Sequence, residues 1–344
     1  MRESSSRYAL LSNASFSVRL HRRSALVVSL GLLSLLALAL YSLTLGDYGL
    51  SVEQSLRRLV GDGGPTDDFL GVYFVQSVRL PRVIAAVAVG CSLGVAGAIF
   101  QTLSGNPLGS PDIVGLSTGC ATGALVAIIV LGANPATTSA GALIGGLASG
   151  ALIVACAGGV RVTGVRVVLV GIGCSAALRA LNSLLIVKAP LEAAQRAQLW
   201  SAGSFAGVTM PRVSVLLAVS LPLAACTAPL GLLAMGDDVA TGLGVRVRRL
   251  RVSLIATAMV LVSLATAVAG PVAFVALSAP HVARRLCGGG GVGLASSAVL
   301  GGLLVLVSDV VAQRLLAPHE LPVGVVTGVV GGVYLLFLLV REVR

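Results

Sequence analysis

The chain has 344 residues, of which 56% are hydrophobic and only 11% are charged. A soluble globular domain carries about 25% charged residues, so this composition excludes one and indicates an integral membrane protein. The net charge of +11 is compatible with nucleic-acid binding, but aromatic residues make up only 4% of the chain, too few for a basic surface with stacking aromatics. In a membrane protein, excess arginine more often reflects orientation across the bilayer.

Apolar runs long enough to cross a bilayer follow one another along most of the chain. A hydrocarbon core of about 30 Å requires about 20 apolar residues in a helix. Nine segments meet this condition: 24–45, 81–103, 112–131, 137–160, 165–187, 213–235, 252–269, 292–315 and 322–340. A tenth segment, 271–286, is short and contains Pro271, Pro280 and His281, which predicts a broken or partial helix. The expected fold is an all-α integral membrane bundle of about ten transmembrane helices.

Residues 1–23 form a basic segment before the first apolar run. Arg19, His21, Arg22 and Arg23 resemble the basic start of a signal peptide. The run that follows exceeds the usual length of about 7–15 residues and no A-x-A cleavage site follows it, so we expect an uncleaved anchor. One polytopic domain, residues 24–344, then completes the chain. If ten elements alternate from a cytoplasmic N-terminus, more arginines fall on the inner side, and both termini are cytoplasmic.

Glycines recur at four-residue spacing in several of the apolar runs. The sets are Gly90 and Gly94, Gly146 and Gly150, and Gly324, Gly328 and Gly332. This spacing lets helix backbones approach closely in a membrane, where lipid gives no hydrophobic drive for association. The pattern predicts a compact bundle and no particular chemistry.

A polar segment, residues 236–251, lies between the sixth and seventh apolar runs and has the sequence GDDVATGLGVRVRRLR. Asp237 and Asp238 favour a helix N-terminus. Gly242 and Gly244 allow a turn, and arginines follow. This pattern predicts two short helices along the membrane surface. A solvated basic loop on the inner side is the alternative that the segment alone leaves open.

The polar segment and five others resemble motifs of the FecCD family, the permeases of binding-protein-dependent importers for iron chelates and cobalamin. The segments are, in the family's order, RLPR (79–82), GVAGAIFQTLSGNPLGSPDIVGLSTG (94–119), WSAGSF (200–205), the polar segment 236–251, GPVAFVALSAPHVARRL (270–286) and ELPVGVVTG (320–328). Residues before Arg79 carry no motif. The chain departs from the family's pattern at Ala276, where glycine is usual, and at Gly331 and Gly332, which replace a small residue and a proline.

The resemblance implies a compact permease bundle of the cobalamin-importer type, a type II ABC importer. In that family the polar segment forms coupling helices in a cleft of the ATP-hydrolysing subunit. The residues implied in coupling are Asp237, Asp238, Leu243, Gly244 and Arg246. ATP and Mg²⁺ then belong to the partner ATPase, and this chain is expected to bind no cofactor or metal. Its only lysine is Lys188 and it lacks G-x-x-x-x-G-K-[ST], so it cannot build a P-loop.

Three arginines are expected on the outer face, where the positive-inside rule disfavours them: Arg79, Arg82 and Arg314. The resemblance implies that they meet glutamates on the two lobes of a substrate-binding protein. Snorkelling to lipid phosphates is the alternative. The other expected partners are ATPase subunits, a second permease that is identical or homologous, and the lipid bilayer of the bacterial inner membrane. Nucleic acid is not an expected partner.

The candidate pathway or gating residues are Gln101, Asn106, Arg179, Pro280 and His281. An arginine at mid-span costs about 2.5–3.5 kcal/mol, so Arg179 should face protein or water. It either pairs with a buried carbonyl or carboxylate, or it lines the pathway and attracts an anionic chelate. His281 is either a structural or gating residue at a helix end or a proton-coupling group. Asp309, a similar charge within a span, is expected to pair two helices.

The sequence and the resemblance together predict a permease for ferric siderophores. A cobalamin or haem permease of the same family is the alternative. An ion-coupled secondary transporter is less favoured, because the apolar runs contain few acids. The GLSTG sequence at 115–119 fits the G-x-S-x-G pattern of serine hydrolases. That pattern needs a strand, a sharp turn and a helix, whereas this one lies within an apolar run, so an enzyme is not predicted.

Overall fold

The computed structural model describes residues 8–13, 16–46, 48–61, 69–158, 164–288 and 292–342. Part of the predicted N-terminal segment, residues 1–7 and 14–15, lies outside these ranges. Most of the rest forms an antiparallel hairpin of β1 (Tyr8–Asn13) and β2 (Phe16–His21), and Arg22 and Arg23 begin the first helix. The all-α expectation did not include this hairpin. Every other regular element in the described ranges is helical.

The described ranges contain sixteen α-helices. They are α1 (Arg22–Thr44), α2 (Val52–Leu59), α3 (Phe69–Tyr73), α4 (Leu80–Ser104), α5 (Pro111–Val114), α6 (Leu116–Ile129), α7 (Pro135–Cys156), α8 (Gly164–Lys188), α9 (Leu191–Ser201), α10 (Met210–Ala225), α11 (Leu230–Leu233), α12 (Asp237–Gly242), α13 (Val247–Ala269), α14 (Val275–Cys287), α15 (Leu294–Arg314) and α16 (Val323–Glu342). Six helical runs are long and apolar enough to cross a membrane, and three shorter apolar helices accompany them. With the half-helix α14, these runs correspond to the ten predicted elements.

The second predicted span starts earlier in the structure than its apolar run. It belongs to a continuous helical run of 36 residues, Phe69–Ser104, which contains a π-helical turn at Phe74–Arg79. The turn closes where the amide of Leu80 donates to the carbonyl oxygen of Val75. Pro81 follows directly, and a proline ring clashes with the carbonyl four residues before it. The wider turn accommodates this clash without ending the helix.

Two other predicted spans are interrupted. Gly115 has a φ of 94°, a conformation that favours glycine, and it separates α5 from α6. The sixth span ends as α10 at Ala225 and resumes as the short α11 after Pro229. Proline and glycine break these helices inside runs whose hydropathy is continuous. The tenth element is a partial helix as predicted, because α14 has only 13 residues.

The helix α4 lies at the centre of the bundle and packs closely against α15. A methyl group added at Gly90 would lie 2.3 Å from the carbonyl oxygen of Gly301. One added at Gly94 would lie 2.2 Å from the carbonyl oxygen of Ser297. No side chain fits at either position, so the predicted close packing through Gly90 and Gly94 is confirmed.

The other glycine sets differ in outcome. Gly146 on α7 contacts α13, since an added methyl group would lie 2.4 Å from Ser263 Oγ. On α16, Gly324 is packed, whereas nothing in the described chain lies within 4 Å of a methyl group added at Gly328 or Gly332. The prediction of close packing through these last two glycines is therefore wrong within this chain. Their side of α16 is open.

Three of the family-like motifs meet at one backbone crossing. An added methyl group at Gly203 would lie 2.3 Å from the carbonyl oxygen of Pro271, and one at Gly270 would lie 2.6 Å from that of Trp200. At Gly324 it would lie 2.3 Å from the carbonyl oxygen of Ala202. The crossing fixes the start of α16 against the segment that leads into α14.

The segment before α14 ends at Phe274, whose φ of 64° is unusual for a residue with a side chain. The phenylalanine packs directly on α16, because a methyl group added at Gly331 would lie 2.2 Å from Phe274 Cβ. Gly331, one of the departures from the family's pattern, thus leaves space for this side chain.

Candidate functional site

A cavity of about 490 Å³ lies where the α4–α5 connection, α5, α8, α14 and α16 meet. Apolar side chains such as Ile172, Leu277 and Leu335 form much of its wall. Its two charged residues are Asp112 and Arg179. The cavity therefore combines a mostly apolar wall with one acid and one base.

Arg179 is exposed on α8 and forms no ion pair with any residue in the described ranges. Ser175 and Gly171, four and eight residues before Arg179 on α8, pack against α5 and the glycine that follows it. A methyl group added at Gly171 would lie 2.7 Å from Val114 Cα of α5. A methyl group added at Gly115 would lie 2.2 Å from Ser175 Oγ. Four-residue spacing keeps Gly171, Ser175 and Arg179 on one face. Of the two alternatives for Arg179, the structure favours a cavity-lining position over a buried pair.

Asp112 was not among the predicted site residues. It lies in the first turn of α5, where the Ser110 hydroxyl accepts a hydrogen bond from its backbone amide at 3.3 Å. Its Oδ1 accepts a hydrogen bond from Ser117 Oγ at 2.5 Å. In the sequence, Asp112 is only the first residue of an apolar run. The signal that was missed is an acid beside a proline within a motif that breaks the helix.

The half-helix α14 connects the cavity wall to the predicted gating residues. Gln101 Nε2 donates to the carbonyl oxygen of Leu277 at 3.0 Å, and Arg284 donates to Gln101 Oε1. The buried His281 lies edge-on to Tyr334 of α16, with ring centroids 6.0 Å apart. These contacts tie α14 to α4 on one side and to α16 on the other.

Pro280 explains how α14 packs against α4. Proline has no amide hydrogen, so it cannot bond to the carbonyl oxygen of Ala276 one turn earlier. That carbonyl instead faces α4, where a methyl group added at Gly97 would lie 1.8 Å from it. Gly97 thus lets the backbone of α14 at Ala276, where the family usually has glycine, approach α4 closely.

Asn106 lies apart from the cavity. It is exposed in the turn after α4, and its Oδ1 accepts a hydrogen bond from the Leu108 amide at 2.9 Å. This contact shapes the N-P-L turn and positions Leu108, which does line the cavity. The structure thus brings Arg179 to the cavity, places Gln101, Pro280 and His281 around α14, and gives Asn106 a local role in the turn.

The polar segment forms one short helix and a turn, not two surface helices. The helix is α12, and the arginines that follow Arg246 lie on α13, which begins at Val247. The turn is at Gly244, whose φ is 80°. Prediction of a second helix is wrong, because the apolar seventh span begins its helix within the arginine cluster.

The predicted coupling residues lie on an exposed surface. Asp237, Asp238, Leu243, Gly244 and Arg246 are all exposed. The side chain of Asp237 pairs with Arg251 at 3.0 Å. Leu243 is 62% exposed and Val239 is 49% exposed, so apolar side chains project from an otherwise polar surface. Such exposure suits contact with another protein.

The predicted docking arginines lie at the opposite end of α4. The end of α4 at Ser104 shares a cavity with Arg251 of α13, so the start of α4 is far from α12. Arg79 is only 6% exposed and donates from Nη1 to the carbonyl oxygen of Leu43 at 2.9 Å. The structure contradicts a docking or snorkelling role for Arg79, because its guanidinium ties α1 to the π-helical turn that precedes α4.

Arg82 is also engaged within the chain. Its side chain is 13% exposed and pairs with Asp309 at 3.0 Å and with Glu320 at 2.9 Å. The expectation that Asp309 pairs two helices is confirmed, since Arg82 is on α4 and Asp309 on α15. Arg314, at the end of α15, is exposed and remains the candidate for docking.

The bundle, its half-helix and its partly polar cavity define the chain as a multi-pass membrane protein of the transporter class. The FecCD transport family matches residues 34–341. The chain therefore belongs to the FecCD transport family, and it is a membrane permease.

Several curated permeases are similar over nearly the whole chain. The ferric enterobactin transport system permease protein FepG of Escherichia coli (strain K12) is 41% identical over 94% of this chain and 98% of its own length. The achromobactin permease CbrC of Dickeya dadantii (strain 3937) is 35% identical, over 92% of this chain and 91% of its own. The hemin permease HmuU of Yersinia pestis is 33% identical, over 90% of this chain and 96% of its own length.

A solved structure shares the fold. It is described as an inward-facing conformation of a metal-chelate type ABC transporter, and it superposes with a TM-score of 0.79 at 27% identity. The match covers 92% of this chain and 99% of the solved one. The predicted family and fold class are thereby confirmed.

Proposed function

We propose that this permease is the membrane-spanning subunit of an ATP-driven, binding-protein-dependent importer of ferric siderophores. The observation that carries the substrate class is the cavity, where Arg179 has no ion-pair partner in the described residues and suits an anionic chelate. The relatives named for ferric enterobactin and achromobactin support the same class. The relative named for hemin supports a haem permease as the second candidate.

ATP hydrolysis belongs to a separate subunit in this proposal. The chain has no P-loop sequence, so ATP and Mg²⁺ bind to the partner ATPase and this chain binds no cofactor. The exposed Val239 and Leu243, with the turn at Gly244, form the surface that inserts into the ATPase. Arg246 is exposed beside them and supports this contact.

A second permease subunit, identical or homologous, covers the open faces of α8 and α16. Exposed apolar residues on these helices include Leu169, Ile172, Val329 and Val333. Since the cavity lies between α8 and α16, a partner on this side completes its wall. The pathway then lies between two subunits.

The proposed location is the bacterial inner membrane, with both termini and α12 in the cytoplasm. The arginine excess on the α12 side supports this orientation. The opposite end, with the exposed Arg314, then faces the substrate-binding protein. A guanidinium binds carboxylates through two parallel hydrogen bonds, which fixes the docking register.

Proteoliposomes test the proposal. The permease is reconstituted with its ATPase and supplied with binding protein and iron-labelled siderophore. Uptake should require ATP, and it should be absent when the P-loop lysine of the ATPase is replaced. Uptake by the permease alone, driven by an ion gradient, would identify a secondary transporter instead. ATP-driven uptake of haem without siderophore uptake would favour the haem permease.

Two variants test the coupling surface in the same assay. Leu243→Asp removes an exposed apolar contact, and Gly244→Pro forbids the positive φ of the turn. Each should reduce uptake at least about tenfold, the effect of losing about 1.4 kcal/mol of contact. Expression and thermal unfolding should be unchanged for Leu243→Asp, because Leu243 is exposed. Gly244→Pro also loses the hydrogen bond from the Gly244 amide to the Thr241 carbonyl at 2.9 Å and should lower the unfolding temperature slightly. Normal uptake by either variant contradicts the coupling role.

A further inference from the structure

The cavity wall contains a carboxylate oxygen without a hydrogen-bond partner. The Oδ1 atom of Asp112 accepts a hydrogen bond from Ser117 Oγ at 2.5 Å. The backbone amide of Phe274 lies close enough to the carboxylate to stabilise its negative charge, but it makes no hydrogen bond of normal geometry with Oδ2. No hydrogen bond reaches the buried Oδ2 atom from any residue in the described ranges. A buried carboxylate oxygen that lacks a donor is unfavourable, so this atom has the chemistry of an unoccupied acceptor.

The base on the same cavity does not supply the missing donor. Arg179 and Asp112 both line the cavity, yet they are not an ion pair. The other acids within reach of arginines in the described ranges, such as Asp309 and Asp237, are paired at 3.0 Å. The backbone contacts between α5 and α8 fix the positions from which both side chains project. Arg179 and Asp112 thus give the cavity a cation and a hydrogen-bond acceptor that are not paired with each other.

We propose that Asp112 and Arg179 form a two-point binding site for the transported chelate. Arg179 binds an anionic oxygen of the ligand. Asp112 Oδ2, which is buried beneath the cavity surface in this conformation, turns toward the cavity and accepts a hydrogen bond from an ammonium, amide or hydroxyl group. Ile172, Leu277 and Leu335 contact the apolar part of the ligand. The ligand class is a ferric chelate that carries anionic oxygens and an N–H or O–H donor. This assignment deepens, and rests on, the proposed function.

Equilibrium dialysis of the full-length permease in lipid nanodiscs tests the site without the binding protein. The probes are an iron-labelled ferric tris-catecholate, which is a trianion, and a ferric trihydroxamate with a free ammonium group. Asp112→Asn should weaken binding of the ammonium-bearing chelate about tenfold and of the trianion less than about twofold. Arg179→Gln should weaken binding of the trianion about tenfold and of the ammonium-bearing chelate less than about twofold.

Three results would overturn the two-point site. One is the absence of saturable binding of either probe to the parent protein. Another is an equal effect of both variants on both probes. The third is a double variant, Asp112→Asn with Arg179→Gln, that restores what each single variant loses, which would show that the two residues pair with each other. The ATP-driven uptake assay stays separate, so any of these results leaves the proposed function standing.

Matched controls separate binding from a structural role. Glu192→Gln and Arg196→Gln remove one acid and one base from the exposed surface of α9 and should leave both affinities unchanged. Ser117→Ala removes the donor to Asp112 Oδ1. If Asp112 only anchors α5, Ser117→Ala and Asp112→Asn will lower the thermal unfolding temperature equally and will not discriminate between the probes.

Discussion

Two carboxylates are buried in the same helical bundle, and their surroundings differ. Asp309 on α15 accepts hydrogen bonds from Arg82 at 3.0 Å and from Gln313 at 2.8 Å, so both of its oxygens have donors. Asp112 on α5 has the hydroxyl of Ser117 on one oxygen and no hydrogen bond on the other within the described residues.

The difference shows that the donors around a buried charge indicate its role better than the charge itself. A carboxylate whose lone pairs are all paired gains little from a ligand, and breaking its pair leaves an uncompensated charge. The Arg82–Asp309 pair therefore joins α4 to α15. A buried carboxylate oxygen without a donor lowers stability, and in the proposed site a ligand donor recovers part of that loss when the carboxylate turns toward the cavity.

The largest expected effect comes from Asp309→Ala. Removing one partner of a buried ion pair leaves Arg82 uncompensated, which costs about 3–5 kcal/mol. The yield of monodisperse permease and its thermal unfolding temperature should both fall sharply. Asp309→Asn, which keeps acceptor and donor groups near Arg82, should be milder. An Asp309→Ala protein that unfolds at the parent temperature would refute the role of the Arg82–Asp309 pair in joining α4 to α15.

A smaller loss of stability is expected for Asp112→Ala. This change removes one satisfied hydrogen bond, worth about 0.5–1.5 kcal/mol, together with an oxygen that was unsatisfied. Thermal unfolding in detergent, measured beside Asp309→Ala, provides the comparison. Equal destabilisation by the two variants would show that the contrast between the two carboxylates is not real.

The smallest effect is expected for Glu320→Gln. The Glu320 side chain is 48% exposed, and ion pairs near the surface contribute about 0–1 kcal/mol. Affinity for the substrate-binding protein should also be unchanged, because Asp309 continues to hold Arg82. Tighter docking at low salt would show instead that Arg82 is available to the partner once Glu320 is removed.

Docking itself is tested with Arg314→Glu, compared with Arg196→Glu as another exposed arginine. We expect the first variant to weaken binding-protein affinity at low salt, where charge attraction is least screened, and the second to leave it unchanged. Equal affinity of the Arg314→Glu variant and the parent at low salt would remove the docking role.

The sequence predicts the spans well because a bilayer imposes length and hydropathy on each one. It also predicts that Asp309 pairs helices, since an acid within an apolar run needs a partner. It does not identify Arg82 as that partner, because the two residues are 227 positions apart. Breaks at Gly115 and Pro229 are missed for a related reason, since hydropathy is continuous across them.

The candidate site is less predictable than the fold. Arg179 is found because a charge in mid-span is conspicuous. Asp112 is not, because it lies at the end of an apolar run, where a charge normally reaches water. Its importance depends on the donors that the folded chain brings to it. The same applies to Arg79, whose burial follows from the conformation of the chain after α1.

The contact between Phe274 and Gly331 has a consequence for how relatives of this permease diverge. The two residues occupy one volume, because any side chain at 331 would lie within 2.2 Å of Phe274 Cβ. A relative with a larger residue at 331 therefore needs a smaller one at 274, or a different conformation before α14. We expect these two positions to change together across the family, because each change must preserve the packing of α16 on the residue that precedes α14.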